Sequence, residues 1–533
     1  MQWLLFVAWL AVAGTLVVGW HRIDRLRWPV LAGALILSTV HQFMFATLAE
    51  DAFISLRYSA QFAEGNGLVF NVGEKVEGYS NFLWVVLVAG PHALFDADIV
   101  TTARVLGVLC TLACVLVGYV LARRLTGAVG PGVLAAVVIA AASSLAAYGP
   151  SGLETPLFAL LLLLVLLAVQ AGWSFVAGLL VALATMTRPD GVVVAVVVGV
   201  WLLARAIRDR KWRAPLLFAA GAVLLAAPWT IWRVAYYGHL MPNAIAAKSG
   251  ASFGWLLETG AIYLATFAVA AQALLVVVPF AVFALVKQRS LGMPTLMLVL
   301  AVVYIGFFVT TGGDWMPGWR FFAPAMPLIA VGCVAALNRS WQLTSRAAPV
   351  LAVSVAGLLL VSSVWQPNYK HNIDVWHAQV NDLADTGKWL RATLEPGTVI
   401  GTFANGALSY EAGTDITVVD LLGLTDEHIA REGERNPKGM IGHQAQDYDY
   451  VINERRPSVV FTSGSGFDEV KSTSCYLGKP FSEGYDALLY RVVGHRLWVT
   501  VLVREDRVDD IVPRLDRSRE FAREDCPPNP RSS

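Results

Sequence analysis

The chain is poor in charge and in metal-binding residue types. Only 15% of its 533 residues are Asp, Glu, Lys or Arg, against 56% apolar, and a mean hydropathy of +0.58 excludes an ordinary soluble protein of this length. Its nine His and five Cys stand nowhere at metal-ligand spacing, which argues against a zinc site. A formal net charge of +1 gives no reason to expect nucleic acid as a partner. Internal repeats are missing too, which weakens a transporter reading, since transporters are commonly built on repeats.

What the sequence has instead is apolar blocks of about 17–22 residues, the length that takes a helix across a ~30 Å hydrocarbon core. They are too long for barrel strands, and lipid leaves backbone groups no other way to be satisfied than a helix or a closed barrel. About twelve spans are predicted, near residues 3–20, 29–48, 101–122, 131–148, 155–170, 173–187, 191–206, 214–234, 259–286, 293–310, 324–338 and 348–365. The first lacks a basic n-region and a small-residue cleavage site, so it reads as a retained span.

Basic residues set the orientation. Arg22, Arg25 and Arg27, then Arg123 and Arg124, then Arg205, Arg208, Arg210, Lys211 and Arg213, then Lys287, Arg289, Arg339 and Arg346 fall in alternate loops, and such loops face the cytoplasm. The N-terminus and the polar stretch beyond residue 366 then lie outside. The predicted architecture is a polytopic α-helical membrane domain over residues 1–365, of about 10–12 spans, and a soluble extracytoplasmic α/β domain over 366–533. In that domain HAQVNDLADTGKWLRATL has helical periodicity, whereas TVIGTF, ITVVDLLG, RPSVVFTS, YDALLYRVVG and HRLWVTVLVRE read as strands. The last twenty residues, rich in Pro, Arg and Ser, are expected to be disordered. Cys110, Cys114 and Cys333 read as packing residues within spans, and Cys475 with Cys526 as a disulfide in an oxidising compartment.

The loops without basic runs all fall on the outer side, and they carry the carboxylates, Asn, Gly, Pro and aromatics. The first, about 49–100, contains EDAFISLRYSAQFAEGNGLVFNVGEKVEGYSNFLW. Its apolar residues recur at helical spacing, as in a helix lying in the membrane interface, and GNGLVFNVGE reads as a turn. FLWVVLVAGPHALF follows as an interfacial or re-entrant helix, since a full span there would invert every later basic loop. The other outer loops are PSGLET, TRPDG, YYGHLMPNAIAAK and TTGGDWMPGWR.

As an ordered set, EDAFISLRY, EGYSNFLW, GLETPLF, TRPDG, MPNAIAAK and GGDWMPGWRFFAP resemble the motifs of the GT-C superfamily of membrane glycosyltransferases. Within it the chain looks most like the terminal arabinofuranosyltransferases of the mycobacterial cell wall and the pilin arabinosyltransferases, and GKWLRATLEPGTVIGTFANGALSYEAG looks like their soluble portion. The resemblance implies transfer of a sugar, arabinofuranose first, from a polyprenyl-phosphate donor to a cell-envelope glycan or glycoprotein. It implies a bacterial inner-membrane, multi-pass enzyme. The family usually has paired aspartates where this chain has Glu50-Asp51. Alternatives are transfer of mannose or another lipid-borne sugar, a transporter or flippase of a lipid-linked sugar, and a non-catalytic assembly factor.

A transferase on the outer face meets no sugar nucleotides, so its donor has to come through the membrane on a lipid phosphate. Transfer through an oxocarbenium-like centre needs a carboxylate to take the acceptor hydroxyl's proton and cations to hold the departing phosphate. Asp51 is the candidate base, with Glu50 orienting substrate or sharing its proton; capping of a helix start is the competing role for both. Arg57, about two helical turns on, together with Arg188, Lys248 and Arg320, are the candidate phosphate ligands, Arg320 favoured for its planar fork, with interfacial snorkelling the competing role. Glu154 and Asp190 stand where they could cap helices and are second-tier substrate contacts. Asp314 and Trp315 suit sugar hydroxyls and a ring face, and Glu77, Tyr79, Asn81 and Asn243 add polar contacts. His428 and His443 read as surface or capping residues. No cofactor is expected; a divalent cation held by Asp51 with Glu50 is the alternative.

Overall fold

A computed structural model describes residues 2–287, 292–341, 367–461, 484–493 and 498–525, with 351, 353–355, 357–360 and 481. Cys475 and Cys526, and much of the span predicted over 348–365, lie outside the described residues.

The apolar blocks are helices: Gln2–Gly19, Ile23–Met44, Ile99–Thr126, Val129–Ala141, Thr155–Gln170, Ser174–Thr187, Gly191–Asp209, Arg213–Tyr237, Met293–Thr310 and Ala325–Trp341. Six stretches among the described residues are long and apolar enough to cross a bilayer. The span predicted over 259–286 is two helices, Phe253–Ala270 and Gln272–Lys287. They are separated by Ala271 at φ −105°, ψ 41°, and hydropathy does not mark that break because a lone Gln272 barely interrupts the apolar run on either side. Small residues bring helices together in lipid, where apolar contact alone gives little drive. A Cβ on Gly178 would strike the Phe218 carbonyl and one on Gly221 that of Phe175, so Ser174–Thr187 and Arg213–Tyr237 pack backbone to backbone. The far side of the latter helix shows Leu216, Val223 and Ile231, a surface suited to lipid.

The loop over about 49–100 opens as predicted on a helix, Glu50–Ala63, but all ten residues from Ala52 to Gln61 are buried. The polar side that sequence alone assigns to water is covered by the C-terminal domain. Phe53, Leu56 and Trp84 share one apolar cluster with Ile400, Leu408 and Val418 of that domain. The next helix, Phe82–Phe95, has 14 residues, about 21 Å, and is one of several shorter apolar helices.

Beyond the helix Pro367–Thr393 the chain forms β1 (Val399–Thr402), β2 (Thr417–Asp420), β3 (Glu434–Arg435), β4 (Ala445–Gln446), β5 (Val459–Phe461), β6 (Tyr485–Val492), β7 (Trp498–Arg504) and β8 (Phe521–Glu524). Among the described residues six strands make one mixed sheet in the order β2-β1-β5-β7-β6-β8, parallel among the first three and antiparallel thereafter. β3 and β4 form a separate antiparallel ribbon. The expected disorder of the last twenty residues is corrected as far as 525: β8 pairs with β6, and Phe521 stacks on Trp389 at 4.2 Å. One buried ring anchors a stretch whose composition is otherwise that of a tail.

Candidate active site

The loops without basic runs meet around a cavity of about 450 Å³. Its membrane-side wall is built on Arg188. Pro189 disfavours a helical residue before it, so Arg188 is extended at φ −156°, ψ 137° and the chain turns there into the helix Gly191–Asp209. Its Nη1 donates to Glu154 Oε1 at 2.9 Å and its Nε to Asp190 Oδ1 at 3.0 Å. Asn81 Nδ2 donates to Glu154 Oε2 at 2.9 Å, and the Tyr304 hydroxyl to Asp190 Oδ2 at 2.5 Å. Glu154 and Asp190 therefore do not act as helix caps, and neither helix start carries a side-chain cap bond. A buried guanidinium left without counter-charge would cost more than an uncapped N–H.

A second wall is the 311–320 loop. Gly312, Gly313 and Gly318 have φ of +95°, +75° and +98°, and a Cβ at Gly313 would run into the Tyr263 ring, so glycine is needed for the loop to fold inward. It sets Asp314 Oδ2 2.9 Å from Arg320 Nε, while Arg320 Nη1 is 3.6 Å from Asp51 Oδ2. Burial raises the Asp314 carboxyl above its usual range, with Arg320 opposing. The Phe321 ring lies 5.1 Å from the Arg188 guanidinium and 4.6 Å from that of Arg320, and so ties the two walls together.

Accessibility separates the carboxylates. The Asp51 side chain is 19% exposed, against 8%, 6% and 2% for Glu154, Asp190 and Asp314, so Asp51 has the most room to meet a substrate hydroxyl. Lys248, just past the short helix Asn243–Ala247, lines the cavity. Among the described residues no carboxylate lies within ion-pair distance of it. Tyr79 and Trp315 complete the wall; the Tyr79 hydroxyl is 2.9 Å from that of Tyr237, and the Trp315 ring meets His443 edge-on at 5.7 Å.

The roof comes from the link between β3 and β4. Ile441, Gly442 and Gln444 line the cavity, and burial lowers the His443 imidazole pKa, with the Asp51 charge opposing. Gln444 Nε2 donates to the Met440 carbonyl at 3.1 Å, while its Oε1 is buried without a donor. No sequence signal marked these residues, because the link carries neither a motif nor a run of charge.

Four candidates lie in the seam between the domains and not on the cavity wall. Arg57 donates to the carbonyls of Phe70 at 2.9 Å, Gly413 at 2.9 Å, Ile416 at 2.6 Å and Ser409, which leaves it unavailable to phosphate. Glu50 accepts from the Gly406 N–H; burial pushes its carboxyl up to about 8, with Asp51 adding to the rise. Glu77 pairs with Arg233 at 2.7 Å, and burial raises its carboxyl to about 7 against that cation. Asn243 donates to the carbonyls of Gly423, Leu424 and Asp426 at 3.0–3.1 Å. Among the described residues no three His, Cys, Asp or Glu side chains could hold a metal ion together.

Known proteins share this architecture. Residues 83–232 match the family described as dolichyl-phosphate-mannose-protein mannosyltransferase, and residues 371–507 match a domain of unknown function, DUF8728. The chain is 25% identical to the terminal β-(1→2)-arabinofuranosyltransferase of Corynebacterium glutamicum over 78% of this chain and 76% of that one. It is 30% identical to the protein of the same name from Mycobacterium tuberculosis over 41% and 37%. Crystal structures of ArnT from Cupriavidus metallidurans superpose with TM-scores of 0.59 in the apo state and 0.56 with bound undecaprenyl phosphate, at 13% and 14% identity, each covering 90% of this chain and 98% of ArnT. The chain is a membrane glycosyltransferase with the GT-C fold. In this glycosyltransferase Glu154 and Arg188 fall within the first matched stretch and the roof within the second, while Asp51, Lys248, Asp314 and Arg320 fall in neither.

Proposed function

We propose that the enzyme moves arabinofuranose from a polyprenyl-phosphate donor to a cell-envelope glycan or glycoprotein on the extracytoplasmic face. The carrying observation is Asp51: the most open of four cavity carboxylates, beside Arg320 and in the same cavity as the uncommitted Lys248. The acceptor hydroxyl gives its proton to Asp51 as its oxygen attacks the anomeric carbon. The carbon–oxygen bond to phosphate breaks, and Lys248 and Arg320 take up the negative charge on the departing lipid phosphate. Phe307, Phe308 and Phe321 give the cavity an apolar side suited to the lipid. The names of the two relatives favour arabinofuranose, and the distribution of Lys and Arg favours an outer active site. The reaction needs no metal on this proposal, so chelator-treated enzyme keeps its rate.

A second reading, mannosyl transfer, is favoured by the family match over 83–232. Purified enzyme in nanodiscs, given labelled polyprenyl-phosphate arabinofuranose and polyprenyl-phosphate mannose with an arabinan oligosaccharide or a peptide acceptor, separates the two. Arabinose transfer is expected; transfer of mannose alone overturns the proposal.

A further inference from the structure

A second cavity, of about 430 Å³, opens on the seam between the first outer loop and the sheet domain. Glu74 and Lys75 line it from the loop, and Glu427, Arg431, Glu432 and Tyr450 from the domain. It is built on segments that also serve the catalytic cavity: Lys75 and Val76 face the outer space where Gly78 and Tyr79 face the inner one, and Leu424 of the inner wall precedes Glu427 of the outer. Three residues of chain reach no more than about 11 Å, so only a thin stretch of wall, with Glu77, Thr425 and Asp426 buried in it, separates the two cavities.

The lining discriminates between ligand classes. Each cation is engaged. Arg455 pairs with Glu74 at 2.7 Å and lies 3.6 Å from Asp426; Arg431 is 3.9 Å from Glu427; Lys75 Nζ sits 4.9 Å from the Tyr236 ring centroid. Four carboxylates face three cations, so an anionic ligand would find no free counter-charge. A neutral polyhydroxyl ligand finds what it needs: the exposed Glu432 carboxylate to accept its hydroxyls, and the rings of Tyr450 and His428, stacked 4.0 Å apart at 21°, as a flat wall. The transfer chemistry uses none of these groups.

We infer that this outer cleft binds neutral sugar residues of the acceptor glycan beyond the one being extended. The inference rests on the proposed arabinofuranosyl transfer for its probe. With full-length enzyme in nanodiscs and labelled donor, an arabinofuranosyl hexasaccharide is expected to show a KM about tenfold below that of the disaccharide. Tyr450→Ala and Glu432→Lys raise the hexasaccharide KM to the disaccharide value and leave kcat/KM for the disaccharide unchanged. The Glu432 side chain is 73% exposed, so that variant tests the cleft without disturbing packing. Equal KM values for the two acceptors in the parent enzyme, or variants that shift both acceptors alike, overturn the inference. Saturation-transfer NMR of the hexasaccharide on Asp51→Asn enzyme reads binding without turnover, and so separates failure of the cleft from failure of the donor assignment. A signal from Asp51→Asn enzyme that adding Tyr450→Ala weakens supports the cleft; no signal, or one that Tyr450→Ala leaves intact, removes it.

Discussion

Arg188 and Arg320 face one cavity and touch one phenylalanine ring, yet their surroundings differ in completeness. Both carboxylates of Arg188 are closely buried, and each takes a further hydrogen bond, from Asn81 or Tyr304. Arg320 holds Asp314 at 2.9 Å, but its other partner, Asp51, stands off at 3.6 Å and is more than twice as accessible as any other carboxylate on the wall. A fully satisfied polar network in a low-dielectric site is rigid and specifies one arrangement. An incompletely satisfied one can take a substrate group without dismantling the wall. The Arg188 network therefore holds the cavity's shape, while the Arg320 network holds its chemistry.

The largest expected effect lies on the open side. Asp51→Asn removes the proton acceptor and should lower turnover of labelled donor by about 10²–10⁴-fold, with the thermal midpoint nearly unmoved because the Arg188 network stays intact. A rate near that of the parent enzyme would erase the distinction. On the closed side the same comparison is tested through stability. Arg188→Ala leaves Glu154 and Asp190 buried without counter-charge and should cost about 3–5 kcal/mol, read as a fall in the unfolding midpoint. Adding Glu154→Gln and Asp190→Asn to that variant should recover a large part of the loss. If it recovers none, burial of charge is not what the network relieves.

The comparison also explains how much of the site was legible in the sequence. Asp51, Glu154, Arg188, Asp190, Lys248, Asp314 and Arg320 stood out because ionisable residues at the edges of apolar blocks are costly unless paired or used, and the cavity brings all seven together. Arg57 and Glu50 carried the same signal but are held in the seam. Their partners, the Ser409, Gly413 and Ile416 carbonyls and the Gly406 N–H, lie some 350 residues away and are backbone groups present at every position, so no residue type announces them. The membrane helices were legible from length and hydropathy. The Ala271 break and the burial of Ala52–Gln61 were not, since both depend on what packs against the chain. The roof at Gln444 was invisible for the same reason.

The seam gives the smallest expected effect and the sharpest sign. Glu50 has its carboxyl pushed from 4.5 to about 8 by burial first, with the charges of Asp51 and Asp420 adding to it and the Gly406 N–H opposing. The folded enzyme therefore keeps this proton over a range in which the unfolded chain has lost it. Its contribution to stability is full below about pH 4.5, falls as pH rises through the window, and is lost above about pH 8. Glu50→Gln carries a neutral side chain at every pH and should flatten the dependence: its unfolding midpoint declines less than that of the parent between about pH 5 and pH 8. Coincident curves would mean that the seam carboxyl is ionised throughout and that the pairing of Glu50 with Asp51 costs the fold nothing. A flatter curve with unchanged turnover at neutral pH would place Glu50 in the structure of the seam and leave Asp51 alone with the proton.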